Sequence, residues 1–170
     1  AAYPGINDEV EYKDDIFVGY RYADLYGRKR SLKYTSQGVA YTINAPKNKP
    51  VFPFGYGLSY TTFAYSNATL SGNVVSVDIT NTGNREGKEV VQLYVADRKA
   101  ALVRPMKELK AFCKVALQPG ETKTVQFTIT DDMLSYFDPE AHQWTVEPGM
   151  FDLLIGSSSA AIHASLPYKR

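Results

Sequence analysis

One cysteine, two histidines, one tryptophan and almost no net charge are what this 170-residue sequence offers to chemistry. A single thiol, Cys113, excludes an internal disulfide framework. Its alternating strand context predicts a buried, small apolar residue. His142 and His163 lie outside metal-ligand spacing of each other and of Cys113, so neither a metal nor a cofactor is expected. Nineteen Lys and Arg against eighteen Asp and Glu leave a net charge of +1, which gives no general attraction to nucleic acid. No run approaches the ~18 apolar residues of a membrane-spanning helix. There is no Gly-x-Ser-x-Gly elbow, and Gly55-Tyr56-Gly57 lacks the third glycine and the following helix of a phosphate loop. No signal peptide is recognisable at Ala1-Ala2-Tyr3-Pro4-Gly5. Asn67-Ala68-Thr69 is a glycosylation sequon, meaningful only in a eukaryotic secretory pathway. The bacterial cytoplasm, the periplasm and secretion all stay open.

Aromatic residues are plentiful at 13 %, and 13 of them are tyrosine. Tyrosine suits edge strands and also interfaces, where the ring packs and the hydroxyl stays wet. The densest stretch is Phe52-Pro53-Phe54-Gly55-Tyr56-Gly57-Leu58-Ser59-Tyr60-Thr61-Thr62-Phe63, with five aromatic residues in twelve. Each such side chain gains about 1.5–3 kcal/mol on burial, so the stretch is expected to pack between two bodies. Its glycines are expected to permit close backbone approach.

Before this stretch the pattern is irregular. Residues 1–24 read as an extended arm, with Ile16–Tyr22 irregular or a short helix. Residues 25–50 form a long loop with the basic cluster Arg28, Lys29, Arg30 and Lys33, read as solvated, and Val39–Ile43 as one strand of a small hairpin. After it, alternation takes over. Strands are expected around Val75–Ile79, Val91–Val95, Leu109–Leu117, Val125–Ile129, Phe151–Ile155 and Ile162–Leu166. Met133–Phe137 reads as a short strand or helical turn. The turns are Asn81-Thr82-Gly83-Asn84, with positive φ open to Gly and Asn, then Gln118-Pro119-Gly120-Glu121 and Glu147-Pro148-Gly149. Some seven short strands without an amphipathic helix make a mainly β protein, an immunoglobulin or fibronectin type III-like β-sandwich.

Carboxylate pairs are the next candidates, since glycosidases need two carboxylates across a cleft. Asp14-Asp15, Asp131-Asp132 and Glu86/Glu89 all lie beside turns, and Asp131-Asp132 is expected to accept turn N–H groups. Arg104-Pro105 with Lys107-Glu108 reads as a surface charge network. His142 and His163 read as structural or solvated.

The order of motifs resembles the C-terminal end of the family 3 glycoside hydrolases of β-glucosidase and β-xylosidase type. Gly19-Tyr20-Arg21-Tyr22-Ala23-Asp24 resembles that family's Gly-Tyr-Arg-Tyr-x-Asp. Phe52–Phe63 resembles its Phe-Pro-Phe-Gly-[His/Tyr]-Gly-Leu-Ser-Tyr-Thr-x-Phe almost throughout. Asn81-Thr82-Gly83, Gly87–Val95, Arg104–Phe112, Pro119–Thr122, Glu147-Pro148-Gly149 and Ile155–Ser158 resemble its fibronectin type III-like domain. The resemblance implies that residues 1–63 are the tail and strap of an α/β sandwich catalytic domain, and that 64–170 are the fibronectin-like domain. It places the family's catalytic aspartate and glutamate outside this chain, so no catalytic residue is carried over.

The implied role is structural. The chain would pack on and stabilise the catalytic domains of a retaining enzyme that hydrolyses terminal β-D-glucosyl residues. Phe17, Tyr20, Tyr22, Phe52, Phe54, Tyr56, Tyr60 and Phe63 are the expected interdomain packing residues. The partners implied are the rest of the hydrolase and a β-linked glucoside or oligosaccharide. Self-association through exposed aromatic surface is a further expectation. The 25–50 loop is longer than the family's usual spacing, and Tyr34 and Tyr41 on it are the nominees for a sugar contact. A freestanding carbohydrate-binding or adhesion module is the alternative reading.

Overall fold

A computed structural model describes residues 15–36 and 38–170. The arm expected over residues 1–14, with Asp14 of the first carboxylate pair, lies outside the described residues. The first element, α1 (Tyr20–Ala23), is a single helical turn entered through Gly19 at φ 58°. It fits the expectation of a short irregular helix over Ile16–Tyr22. Strands β1 (Leu32–Ser36) and β2 (Val39–Ile43) then form an antiparallel hairpin in which Tyr34 opposes Tyr41.

The main body holds β3 (Phe63–Ser71), β4 (Val74–Asn81), β5 (Gly87–Asp97), β6 (Glu108–Leu117), β7 (Thr122–Thr128), β10 (Met150–Gly156) and β11 (Ile162–Lys169). They form two antiparallel sheets, in the orders β3-β4-β7 and β11-β10-β5-β6. Three strands facing four make the expected sandwich. Between β7 and β10 lie the turn α2 (Asp131–Leu134) and a small hairpin of β8 (Tyr136–Asp138) and β9 (Gln143–Thr145).

The core follows from period-two alternation. Val75, Val77 and Ile79 with Val125 and Phe127 line one inner face, and Val91, Leu93 and Val95 with Phe151, Leu153 and Ile155 line the other. Leu117 and Leu134 complete the same cluster. A second, smaller core of Phe17, Leu25 and Ile43 sits under the β1–β2 hairpin, with Leu32 and Tyr34 against it.

Three local expectations change. Cys113 is half-buried against the core rather than fully buried, because the edge strand β6 covers only one of its sides. At Asn81–Asn84 no residue has positive φ. The glycine is needed there for space, since a Cβ on Gly83 would lie 2.2 Å from Thr61 Oγ1. The Asp131 and Asp132 carboxylates accept no turn N–H bond. Their backbone carbonyls serve Ser135, and Asp131 Oδ2 meets Arg170 Nη2 at 2.7 Å. Strand β5, whose apolar and polar residues alternate, is buried on both faces from Val91 to Val95.

Candidate functional site

Double burial of β5 identifies the site. Val91, Leu93 and Val95 point into the sandwich, so Gln92 and Tyr94 point away from it, and both are still buried. The cover is the arm. Gln92 Nε2 donates to Gly55 O at 3.1 Å and to Ser157 O at 2.7 Å, while Tyr94 Oη donates to Gln92 Oε1 at 2.5 Å. The Gln92 amide is thereby oriented, with both donor bonds and its acceptor used. Ser159 N donates to Phe54 O at 2.8 Å and closes the strap from the other side. The Phe54 ring stacks on Tyr20 at 4.3 Å, and Tyr20 meets Tyr94 edge-on at 6.4 Å. Burial, with Tyr20 and Asp24 nearby, raises the Tyr94 phenol far above its ordinary range, which keeps it a hydrogen-bond donor.

Gly55 is indispensable here for two reasons. Its φ is +77°, and a Cβ would lie 2.2 Å from Gln92 Oε1. Gly57 needs neither, since space is open around it. Close approach therefore holds for the first glycine of the pair and is not required of the second.

Helix α1 is held to the start of β6 by polar contacts. Leu109 N donates to Tyr20 Oη at 2.8 Å, Arg21 pairs with Glu108 at 2.7 Å, and Lys107 pairs with Asp24 at 2.7 Å. Asp24 Oδ1 also accepts from Ser159 Oγ at 3.2 Å. Glu108 further faces Arg104 at 3.3 Å and Lys110 at 3.7 Å, and Arg104 reaches Asp97 at 3.3 Å. Arg104 and Asp97 are nearly buried, so the expected surface network is an internal one. Burial lowers the Lys110 ammonium, with Arg104 and Arg21 acting in the same direction and Glu108 against it.

A third group of polar contacts anchors the strap's end. Asn81, fully buried, accepts from Thr61 Oγ1 at 2.7 Å and donates to Arg85 O at 2.7 Å and Leu117 O at 3.0 Å. A Cβ on Gly87 would fall 2.4 Å from Thr61 Cγ2, so the strap runs against both glycines of this corner.

Between these anchors the strap turns apolar side chains to solvent. Val51 is 86 % exposed, Leu58 89 % and Tyr60 93 %, with Phe52, Phe54 and Tyr56 exposed between them. Phe52 and Tyr56 stack on each other at 5.2 Å. The remaining nominees divide: Phe17 is buried in the small core, Tyr20 and Phe63 are half-buried within the chain, and Tyr22 is exposed.

Tyr34 and Tyr41 stack at 5.2 Å with 12° between their planes. Tyr34 is further committed. Its hydroxyl donates to Asp15 Oδ2 at 2.6 Å, and Phe17 packs 6.4 Å from its ring. Burial, then the Asp15 hydrogen bond, raises its phenol well above the ordinary range.

An open cleft of about 360 Å³ lies between Tyr56–Leu58 and Lys88, Lys114 and Ser157, and Glu89 is its one carboxylate. Glu89 accepts from Tyr65 Oη at 2.7 Å, and burial holds its pKa above the ordinary value despite that bond. Tyr65 in turn stacks on His163 at 4.0 Å, and His163 Nε2 contacts Ser157 Oγ at 3.0 Å. Glu86 is exposed. His142 occupies a positive-φ position, 52°, at the exposed tip of the β8–β9 hairpin. Among the described residues no three His, Cys, Asp or Glu side chains group as metal ligands, and no helix is long and apolar enough to cross a membrane.

Sequence reasoning singled out the aromatic residues of this face and passed over its polar ones. Gln92 and Tyr94 read as ordinary strand positions, Asn81 as part of a turn, Asp24 as the end of the arm's Gly19–Asp24 motif and Glu108 as part of a surface charge network. Two signals were available: Gly55, whose requirement for space implies an opposing group, and the motifs that hold Asp24 and Gln92–Tyr94.

The fibronectin type III-like domain family matches residues 89–159. A β-glucosidase of Bacteroides ovatus is 40 % identical over 176 residues, covering 99 % of this chain and 21 % of that protein. Thermostable β-glucosidase B of Acetivibrio thermocellus is 45 % identical over 168 residues, covering 94 % of this chain and 20 % of its own length. The crystal structure of a family 3 β-glucosidase of Bifidobacterium adolescentis superposes with a TM-score of 0.81 at 34 % identity, over 99 % of this chain and 23 % of that one. The chain thus spans about a fifth of the length of the relatives it matches. Over nearly its whole length the chain is similar to β-glucosidases, a family 3 enzyme among them, and residues 89–159 of its sandwich match the fibronectin type III-like domain family.

Proposed function

We propose that this chain is the structural C-terminal portion of a retaining β-glucosidase and that its strap, Val51–Tyr60, is where the catalytic part of the enzyme packs. The carrying observation is the strap itself. Its backbone is locked to the sandwich through the carbonyls of Gly55 and Phe54, and the Thr61 hydroxyl anchors the chain just beyond it, while its apolar side chains face solvent. Exposed apolar patches of that kind mark interaction sites. The strap reads as a rigid rail that presents Phe52, Tyr56, Leu58 and Tyr60 to a second body.

The intact enzyme would hydrolyse terminal β-D-glucosyl residues using two carboxylates about 5–5.5 Å apart. Both would come from outside this chain, since the one carboxylate of the cleft, Glu89, is held by Tyr65. Residues 1–63 would be the tail of the α/β catalytic domain and 64–170 the fibronectin-like domain. Any sugar contact on the 25–50 segment falls to the outer face of Tyr41, because Tyr34 is spent on Asp15 and Phe17. In the chain alone the strap would favour self-association.

The test is turnover of a nitrophenyl β-glucoside. The purified chain is expected to show none, and a polypeptide joining it to its catalytic part is expected to be active. In that longer protein, Leu58→Asp with Tyr60→Asp should lower the thermal midpoint. Measurable turnover by the 170-residue chain, or an unchanged midpoint in the double variant, contradicts the proposal.

A further inference from the structure

Charge in this chain is segregated. Residues 25–50 carry six cations, Arg28, Lys29, Arg30, Lys33, Lys47 and Lys49, and no acid. With the whole chain at +1, the remainder carries −5. All six cations are exposed, and none pairs with an acid among the described residues.

The opposite end of the sequence mirrors this. Residues 131–152 contain six acids, Asp131, Asp132, Asp138, Glu140, Glu147 and Asp152, and no Lys or Arg. Arg170 neutralises Asp131 and Arg98 neutralises Asp152. The other four have no cation partner among the described residues. This acidic segment includes the β8–β9 hairpin, and that hairpin is also aromatic. Trp144 is 69 % exposed and Phe137 lies edge-on to it at 5.8 Å, also exposed. No ion pair joins the basic and acidic segments within one molecule.

We infer that the basic segment flanking the β1–β2 hairpin of one copy docks on the acidic, aromatic segment around the β8–β9 hairpin of a second copy, and reciprocally, as a two-fold dimer. The occupant is a second copy because both halves of the match, six exposed cations and four acids without a cation partner among the described residues, are present on every chain. A two-fold axis makes such a contact twice, once in each direction. Trp144 and Phe137 supply the apolar centre such an interface needs, and the charges form its rim. Rim charges steer and select the partner, and they are screened by salt. The inference rests on these two surfaces alone and holds whether or not the glycosidase reading does. It also differs from association through the apolar strap, which salt would not dissolve.

Sedimentation of the 170-residue chain tests it. At about 0.05 M salt, where screening reaches little of the interface, the chain is expected as a dimer, and near 1 M salt its mass should halve. Arg28→Glu with Lys29→Glu and Arg30→Glu should give a monomer, as should Asp138→Lys with Glu140→Lys. Each variant is checked for an unchanged circular dichroism spectrum. Mixing the two reversed variants should restore a dimer containing one of each. A wild-type chain monomeric at low salt overturns the inference. So does a dimer that survives high salt and both reversals, which would point to the strap, and so does a mixture that stays monomeric.

Discussion

Strand β5 buries both its faces, and the two burials are of different kinds. On the inner face, Val91, Leu93 and Val95 meet aliphatic side chains from the opposite sheet with no hydrogen bond among them. On the outer face, Gln92 and Tyr94 are fixed by three directed hydrogen bonds, one of them to the strap carbonyl of Gly55, one to Ser157 O and one between the two side chains. The inner seam is non-directional, and its strength scales with buried area. The outer seam is directional and tolerates one register only, because a carbonyl left unpaired there costs about 1–3 kcal/mol. The inner seam holds the sandwich together. The outer seam decides how the arm lies on it, and so where Val51–Tyr60 points.

Substitutions can break this contrast. The largest effect should come from Leu93→Ala, a fully buried deletion expected to cost about 2–5 kcal/mol in urea unfolding. Leu93→Met should cost less than about 1.5 kcal/mol, since volume is kept and no direction is lost. Gln92→Glu, nearly the same shape, should reverse that tolerance. It removes the donor to Gly55 O and Ser157 O, with about 1–3 kcal/mol at stake for each stranded carbonyl. Equal costs for Leu93→Met and Gln92→Glu would erase the distinction. Gly55→Val should follow, with about 1–3 kcal/mol of backbone strain and a steric conflict with Gln92 that lifts the strap. Its signature is loss of the Phe54–Tyr20 stack, read as a change in near-ultraviolet circular dichroism, while the sandwich core stays intact.

The smallest effect concerns pH. Burial raises the Glu89 pKa, so the folded chain holds that proton to higher pH than the unfolded one does. The folded state then binds more protons, and stability falls as pH rises through the folded pKa. Removing the charge should relieve this. Glu89→Gln, which keeps the Tyr65 contact, should have a higher thermal midpoint than wild type at pH 7 and the same midpoint at pH 4. The reverse order would show that Tyr65 more than offsets burial. His163 acts with the opposite sign. Burial lowers its pKa, so its contribution is lost as pH falls below the ordinary imidazole value.

The sandwich was readable because its signal is local. Val75-x-Val77-x-Ile79 and Val125-x-Phe127-x-Ile129 alternate cleanly, since each strand of the three-stranded sheet buries one face. Strand β5 carries the same alternation, yet its polar face is covered by residues 37 or more positions upstream, as Gln92 to Gly55 shows. Nothing within the strand signals a cover that distant. Arg104–Glu108 misled in the same way. Its charges look solvent-facing in sequence and are taken up by Arg21 and Asp24 near the chain's start. The family motifs pointed to the right residues, and geometry supplies the reason: Gly-Tyr-Arg-Tyr-x-Asp, Phe-Pro-Phe-Gly and the Gln92–Tyr94 strand meet at one seam.

Native-state hydrogen exchange at two amides tests that seam most directly. Leu109 N–H bonds Tyr20 Oη and Ser159 N–H bonds Phe54 O, so the partners of both come from the arm. If arm and sandwich form one cooperative unit, both amides should open with the same free energy as the β5 amides of the core. Exchange at the rate of exposed loops, with the β5 amides still protected, would show that the arm is not docked and would contradict the account.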